Sequence, residues 1–113
     1  MVSPLRSFEQ FWPFYVSQHL DPRNRVLHVT GTTGVFATLV LGVLWSPYAF
    51  LACPIMGYGF AWIGHYVFEH NEPATFQYPL WSLRGDLRMY RLMLWGRMGP
   101  EIEKAEKLFP AKA

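Results

Sequence analysis

Two histidines lie at equal distances from the middle of the most apolar stretch of this sequence. His28 lies 18 residues before Ser46, and His65 lies 18 residues after Pro47. If the chain forms an antiparallel helical hairpin that turns at Ser46-Pro47, a rise of about 1.5 Å per residue puts both imidazoles about 27 Å from the turn. The two side chains are therefore expected to lie level with each other.

The neighbouring residues extend this pair into a candidate metal site. His19 precedes His28 by nine residues across an Asp-Pro turn, and Glu69 follows His65 by four, so that His65 and Glu69 share a helical face. One histidine alone would more often hydrogen-bond a carbonyl, but the convergence of three favours a metal. Imidazoles with a carboxylate and open positions suit a non-haem Fe(II) that activates O₂, whereas four closed ligands suit Zn²⁺. Spacing alone leaves the metal open.

The elements that must position these side chains are indicated by the distribution of charge. No Asp, Glu, Lys or Arg occurs in the 43 residues from Val26 to Phe68, and all 18 charged residues lie outside that interval. Each half is close to the roughly 20 residues that cross a bilayer as a helix. We predict an all-α integral membrane protein whose two crossing helices, about 26–45 and 48–69, form a hairpin. Small residues at helical spacing would let the two helices pack closely: Gly34, Thr38 and Gly42 on one, and Gly57, Ala61 and Gly64 on the other.

The flanking arginines predict an orientation. Arg23 and Arg25 precede the first crossing helix, while a second group follows the other one, namely Arg84, Arg88, Arg91 and Arg97. By the positive-inside rule both termini are expected in the cytoplasm, at the plasma or inner membrane of a bacterium or the endoplasmic reticulum of a eukaryote. The alternative is a buried helical hairpin in a soluble bundle, which the mean hydropathy of +0.08 leaves open.

Shorter elements are expected on either side of the hairpin. An aromatic helix is predicted at about 4–18, starting at Ser3-Pro4 and kinked by Pro13, and an amphipathic one at about 82–98. Both are expected to lie at the membrane interface or against the hairpin. Asn24 is expected to cap the first crossing helix, and a short charged helix is predicted at about 100–109. The chain of 113 residues is expected to be one membrane domain, and its net charge of +2 is too small for a nucleic-acid binder.

Two segments of the chain resemble a known family. They are His19-Leu-Asp-Pro-Arg-Asn24-Arg-Val-Leu-His28 and Gly57-Tyr-Gly-Phe-Ala-Trp-Ile-Gly-His65-Tyr-Val-Phe-Glu69-His-Asn-Glu-Pro73-Ala74. Together they resemble the two signature segments of a family of small membrane proteins whose fungal member is an Fe(II)-dependent 2-hydroxy-fatty-acid dioxygenase. The similarity spans about residues 8–98.

The resemblance implies a specific site. It implies that His19, His28 and His65 bind Fe(II), with Glu69 as a further ligand or catalytic group, Asn24 as a catalytic or supporting residue, and Pro73-Ala74 in a supporting position. His70 stands where the fungal motif has a basic residue, and it therefore ranks below Glu69 as a ligand.

Three hypotheses for function follow. The first is an iron-dependent membrane dioxygenase that uses O₂ to shorten a 2-hydroxy fatty acid by one carbon, with Arg23 or Arg25 pairing with the substrate carboxylate. The second is a non-catalytic membrane protein that binds lipid or a protein partner through its amphipathic helix. The third is a zinc-dependent membrane hydrolase. Two crossing helices make a thin scaffold, so self-association into a homo-oligomer is also expected.

Overall fold

The computed structural model describes residues 5–110, which are helical with no β-strand among them. The α-helices are α1 (Phe8–Ser17), α2 (Pro22–Leu44), α3 (Phe60–Ile63), α4 (Pro79–Leu94) and α5 (Gly99–Leu108). The described residues divide into two compact units. One, here called the terminal unit, combines 5–20 with 74–110, and the other, the central unit, is Asp21–Pro73. The all-α prediction is confirmed.

The central unit is built on α2. Pro22 occupies its first turn, and the Asp21 side chain caps it by accepting a hydrogen bond from the Arg23 backbone N–H at 2.9 Å. The expected cap at Asn24 is therefore wrong, because the helix begins one turn earlier than the charge pattern predicts. Among the described residues, α2 is the one helix that is long and apolar enough to cross a membrane.

Residues 47–69, here called the return segment, are helical throughout but do not form one α-helix. They comprise a 3₁₀-helix (Pro47–Ala52), a π-helix (Ile55–Gly59), the single turn α3 and a second π-helix (Gly64–Glu69). Pro54 lacks a backbone N–H and clashes with the preceding turn of a regular α-helix, and the glycines add conformational freedom. The second predicted crossing segment thus has a mixed helical geometry that hydrophobic periodicity does not encode.

The return segment packs along α2, where glycines permit very close approach. A Cβ at Gly34 or Gly42 would overlap the side chain of Met56 or of Phe50, respectively. The buried residues of α2 are small or polar, whereas its large apolar side chains are exposed. The exposed ones include Phe36, Leu39, Val40, Leu41, Val43 and Leu44. The central unit is thus apolar on its outside and small or polar where its elements meet.

The terminal unit has an aromatic core. Helix α1 begins at Phe8, where the Ser7 hydroxyl accepts a hydrogen bond from the Gln10 N–H at 3.2 Å. The start expected at Ser3-Pro4 lies outside the described residues, and residues 5–7 are not helical, so the helix is shorter than predicted. Pro13 is accommodated within it. The buried residues that α1 contributes to the core shared with α4 and α5 are Phe8, Phe11, Trp12, Tyr15 and Val16.

The C-terminus of α4 and the charge distribution of α5 match local sequence signals. Helix α4 stops at Leu94 instead of near residue 98, because Gly96 adopts a positive φ of 67° and the Arg97 N–H returns to the Leu92 carbonyl at 2.8 Å. This arrangement is a glycine C-cap of the Schellman type. Helix α5 has Glu101 in its first turn and Lys107 in its last, as its dipole favours, and it matches the predicted charged helix.

Asp86 on α4 is a half-buried acidic group in the terminal unit, and it predicts a pH-dependent stability. It accepts a hydrogen bond from the Tyr15 hydroxyl. Burial raises the pKa of Asp86 from 3.8 to about 6, although the bond from Tyr15 opposes this rise. A raised pKa in the folded state contributes stability at low pH that is lost as the pH rises through about 6.

We therefore expect the contribution of Asp86 to the unfolding free energy, taken as the wild-type value minus the Asp86→Asn value, to fall by up to about 3 kcal/mol between about pH 4 and about pH 7, at about 1.4 kcal/mol per pKa unit. Asp86→Asn lacks this contribution, since the amide is neutral throughout. Denaturation in detergent micelles at the two pH values measures the difference. Glu103→Gln, which changes an exposed carboxylate, is the control and should behave as the wild type. Equal pH dependence of Asp86→Asn and wild type would contradict the assignment.

Candidate metal centre

The central unit brings two of the predicted ligands face to edge. His28 projects from the second turn of α2, and His65 from the π-helix Gly64–Glu69. Their ring centroids are 5.0 Å apart with planes nearly perpendicular, at 89°. Both are buried, with exposed fractions of 7% for His28 and 1% for His65. Two buried imidazoles are costly unless they have a function or partners.

The third histidine follows α1 in the short connection to α2. The imidazole of His19 is 1% exposed, and it stacks on the ring of Tyr15 with centroids 4.1 Å apart and an interplanar angle of 25°. One ligand atom of each histidine, His19, His28 and His65, lies within 4.8 Å of those of the other two. Three buried histidines that converge in this way can bind a metal ion.

Each of the three rings has one nitrogen held by an oxygen of the protein. Nδ1 of His19 lies 2.6 Å from the Tyr15 carbonyl, Nδ1 of His28 lies 3.0 Å from the Asn24 carbonyl, and Nδ1 of His65 lies 2.6 Å from Oδ1 of Asn71. Because these oxygens accept, Nδ1 carries the hydrogen and Nε2 carries the lone pair. This is the tautomer that metal-binding histidines adopt when a neighbouring acceptor orients them.

Glu69 is placed beside this cluster and not within it. Its Oε1 accepts hydrogen bonds from the Asp21 backbone N–H at 2.7 Å and from Nδ2 of Asn24 at 3.3 Å. The carboxylate thus connects the π-helix to the first turn of α2. Asn24 is fully buried, and its carbonyl in turn accepts from His28. In this arrangement Glu69 and Asn24 hold the backbone that carries two of the histidines.

A glycine makes this close approach possible. A Cβ at Gly64 would overlap the side-chain amide of Asn24. Gly64 immediately precedes His65, so any displacement at this position moves a candidate ligand. The sequence identifies Gly64 as a small packing residue, but the pattern does not show that it faces the asparagine.

The remaining predicted site residues lie elsewhere. His70 is exposed, has a left-handed backbone with φ of 58°, and is not part of the histidine cluster. Arg23 pairs with Asp21 at 2.7 Å and lies over the ring of Phe68 at 4.3 Å. Arg25 is half-buried. Arg23 borders an apolar groove of about 390 Å³ whose other lining residues are Pro22, Val26, Leu27 and Phe68.

Asn71 and Tyr15 are site residues that sequence reasoning missed. Asn71 follows the left-handed residue His70, and its own N–H donates to the His65 carbonyl at 3.0 Å, which turns its side chain back to the ring of His65. The left-handed turn has no clear signal in the sequence. Tyr15 lies four residues before His19, a helical spacing that could have identified it as a neighbour.

Asn71→Ala is expected to weaken metal binding by about 10- to 100-fold, the range seen when partners that orient a metal-binding histidine are removed. Without the Asn71 oxygen, the His65 ring loses the acceptor that selects its tautomer. Competition with a chelator of known affinity measures the change. Asn71→Asp should retain most of the affinity, because a carboxylate oxygen also accepts from Nδ1. Unchanged affinity in Asn71→Ala would show that the contact does not orient a ligand.

Comparison with known proteins adds one finding. The family model described as Mpo1-like, 2-hydroxy-palmitic acid dioxygenase Mpo1-like, matches residues 5–98. This match covers most of the chain and confirms the resemblance noted from the two signature segments. No curated protein and no solved structure matches the chain significantly.

Proposed function

Since the chain belongs to the 2-hydroxy-palmitic acid dioxygenase Mpo1-like family, we propose that it is an Fe(II)-dependent membrane dioxygenase acting on 2-hydroxy fatty acids. The reaction would shorten the acid by one carbon through oxidative cleavage beside its carboxylate. The observation that carries the proposal is the convergence of three buried histidines, His19, His28 and His65, with ligand atoms within 4.8 Å of one another.

The donor set fits a metal whose coordination is left partly open. Three neutral imidazoles, each oriented through Nδ1, would hold the ion through Nε2, and they leave positions for other ligands. Zinc also binds three histidines, but it has no redox chemistry. Iron, when bound, supplies the ability to activate O₂ that a dioxygenase requires. The family description therefore favours iron over zinc at this site.

A substrate of this class has parts that match features of the central unit. Its carboxylate and 2-hydroxyl can chelate a metal, and its acyl chain needs an apolar surface. The groove beside Phe68 is apolar and has the Arg23 guanidinium at its border. We propose that Arg23, with Arg25 as the second candidate, contributes positive charge for the carboxylate, and that the groove accepts part of the chain.

Glu69 and Asn24 are proposed to act on the ligands and not on the substrate. The hydrogen bonds of Glu69 to Asp21 and Asn24 fix the start of α2 against the π-helix that carries His65. We propose that this connection holds the spacing of His28 and His65 when a metal binds. Both residues are therefore positioning residues. Of the two, Glu69 has a carboxylate that can also turn toward a bound ion.

The surface of the central unit supports a membrane location. Large apolar side chains are exposed along α2 and along the return segment, among them Leu51, Ile55, Ile63 and Val67. Exposed apolar surface on this scale is typical of a protein surrounded by lipid. Helix α4 exposes a second apolar face, which comprises Leu80, Leu83, Leu87 and Leu94. We propose that the central unit is inserted in the bilayer with both termini cytoplasmic, and that α4 lies at the interface.

The test is oxygen consumption by purified protein in detergent, loaded anaerobically with Fe(II). With 2-hydroxypalmitate we expect O₂ uptake and a fatty acid one carbon shorter, identified by mass spectrometry. Palmitate, which lacks the hydroxyl, and protein loaded with zinc are the controls, and neither should support uptake. Iron-loaded protein that consumes no O₂ with 2-hydroxypalmitate, or zinc-loaded protein that hydrolyses lipid esters, would overturn the proposal.

A further inference from the structure

The helix that leads to His19 carries a continuous stack of aromatic rings. Trp12, Tyr15 and His19 recur at spacings of three and four residues, so that Trp12 and Tyr15 share one face of α1 and His19 follows them just beyond its end. The His19 and Tyr15 rings are 4.1 Å apart between centroids at 25°, and Tyr15 and Trp12 are 5.6 Å apart at 14°. Tyr15 is 1% exposed and Trp12 is 5% exposed. The stack thus runs through the interior of the terminal unit.

The two rings beyond His19 are of the kinds that lose a single electron most readily. The helix is rich in phenylalanine, including Phe8, Phe11 and Phe14, but the positions stacked in line with His19 are a tyrosine and a tryptophan. Phenol and indole become far stronger acids when they lose an electron. A nearby base that accepts the proton therefore makes loss of the electron easier.

Both rings have such a base. The Tyr15 hydroxyl donates to Asp86, and the Trp12 Nε1–H donates to Oε1 of Glu101 at 2.7 Å. Glu101 is partly exposed, so the proton acceptor of the outer ring reaches solvent. The pKa of Asp86 is about 6, which leaves it ionised and able to accept a proton at neutral pH.

We propose that Tyr15 and Trp12 form an oxidation relay that carries oxidising equivalents from the metal centre through His19 toward the protein surface. The inference rests on the proposed function, because its oxidant is the metal centre after reaction with O₂ or peroxide when no substrate is bound. Its benefit would be to protect the histidine ligands from oxidation during such unproductive turnover.

The relay proceeds in balanced one-electron steps. Tyr15 would give up one electron toward the metal that His19, His28 and His65 would hold, its phenolic proton would move to Asp86, and a neutral tyrosyl radical would remain. Trp12 then gives one electron to that radical, Asp86 returns the proton to the Tyr15 oxygen, and the indole proton moves to Glu101. A thiol or ascorbate in solution finally supplies one electron to Trp12, and the indole nitrogen is protonated again.

The experiment uses the full chain loaded with Fe(II) in detergent, without fatty acid, treated with a limited amount of H₂O₂ and frozen rapidly. Electron paramagnetic resonance detects both the oxidised iron and any radical, and peptide mass spectrometry locates added oxygen. In the wild type we expect a tyrosyl signal and little oxidation of His19. Tyr15→Phe should lose that signal and increase oxygen addition at His19 several-fold. Trp12→Phe should retain the tyrosyl signal and prolong it.

Two controls separate the relay from packing. Tyr15→Phe keeps the stacked ring and the carbonyl that accepts from His19, so it should bind iron with wild-type stoichiometry. Trp81→Phe alters a ring that stacks on Tyr78 at 5.5 Å in the same unit, outside the stack that ends at His19, and it should behave as the wild type.

The outcomes distinguish the relay from the proposed function. If iron binds and is oxidised, but Tyr15→Phe has the same radical signal and the same His19 oxidation as the wild type, the relay is wrong and the proposed function stands. If the protein binds no iron, or bound iron does not react with peroxide, the relay is overturned together with the proposed function.

Discussion

Replacing His65 with alanine is expected to abolish stoichiometric metal binding and, with it, turnover of 2-hydroxypalmitate. Loss of a partner that only orients a histidine lowers metal affinity by about 10- to 100-fold, and loss of a ligand should exceed that range. His65 is 1% exposed and lies with its ring 5.0 Å from that of His28. No other histidine in the described residues is placed to replace it, because His70 is exposed and lies outside the cluster.

The matched control for this substitution is His70→Ala. It removes an imidazole five residues further along the chain and should leave both iron content and activity at wild-type levels. Iron content is measured by elemental analysis of the purified proteins, and the fold by the helical circular dichroism signal. Retention of one iron per chain in His65→Ala, with the helical signal intact, would show that the metal is bound elsewhere.

Gly64→Ala is expected to be nearly as damaging, although it adds only a single methyl group. The new Cβ would overlap the Asn24 amide, so either α2 or the π-helix must move. Overpacking of this kind costs about 1–3 kcal/mol of stability. The shift would also displace His65, the next residue, and Asn24, which accepts from His28. We therefore expect metal affinity to fall by about 10- to 100-fold, as for an oriented ligand that loses its support.

Gly59→Ala provides the comparison for Gly64→Ala. Gly59 is in the same return segment, and an added Cβ would meet only the side chain of Ile55 at 4.0 Å, an ordinary contact. Because alanine is also the better helix former, we expect Gly59→Ala to be neutral or slightly stabilising. Thermal unfolding and chelator competition on both variants provide the test. Equal behaviour of the two variants would mean that the contact of Gly64 with Asn24 does not determine the geometry of the site.

The parts of the site that sequence predicts are those that depend on distance along a helix. The sequence predicts that His28 and His65 lie level because each is 18 residues from the turn, and their ring centroids are 5.0 Å apart although the return segment is not a regular α-helix. The glycines that face α2 were likewise visible as small residues at helical spacing. The all-α class follows from the same periodicity and apolar length.

The parts that sequence could not predict depend on local departures from regular helix. The return segment includes two π-helices, and one of them carries both His65 and Glu69. π-Helices are rare and are often found at functional sites, where the residue inserted into the turn re-aims side chains. That geometry directs Glu69 to the N–H of Asp21 and not into the histidine cluster. No hydrophobic pattern distinguishes such a turn from the α-helix that was expected.

Two helix boundaries illustrate the same limit. Asp21 and Asn24 are both good capping residues, and the choice between them depends on Pro22, which fits the first turn of a helix that Asp21 caps. Helix α4 ends just before Gly96, which has a positive φ. The sequence also contains Gly99 followed by Pro100, and this pair is the stronger helix-stop signal of the two. In each case two adequate signals compete, and the sequence alone does not rank them.

The central claim, that His19, His28 and His65 bind one metal ion through Nε2, is tested most directly by nuclear magnetic resonance of the protein with isotope-labelled histidine nitrogens. The chain has 4 histidines, so each ring can be followed separately. Zinc serves as the diamagnetic substitute for iron. On addition of one equivalent, we expect the Nε2 resonances of three histidines to shift to coordinated values while their Nδ1 atoms stay protonated and His70 is unchanged. If the Nε2 resonance of even one of the three histidines does not shift, or if His70 is coordinated, the account is contradicted.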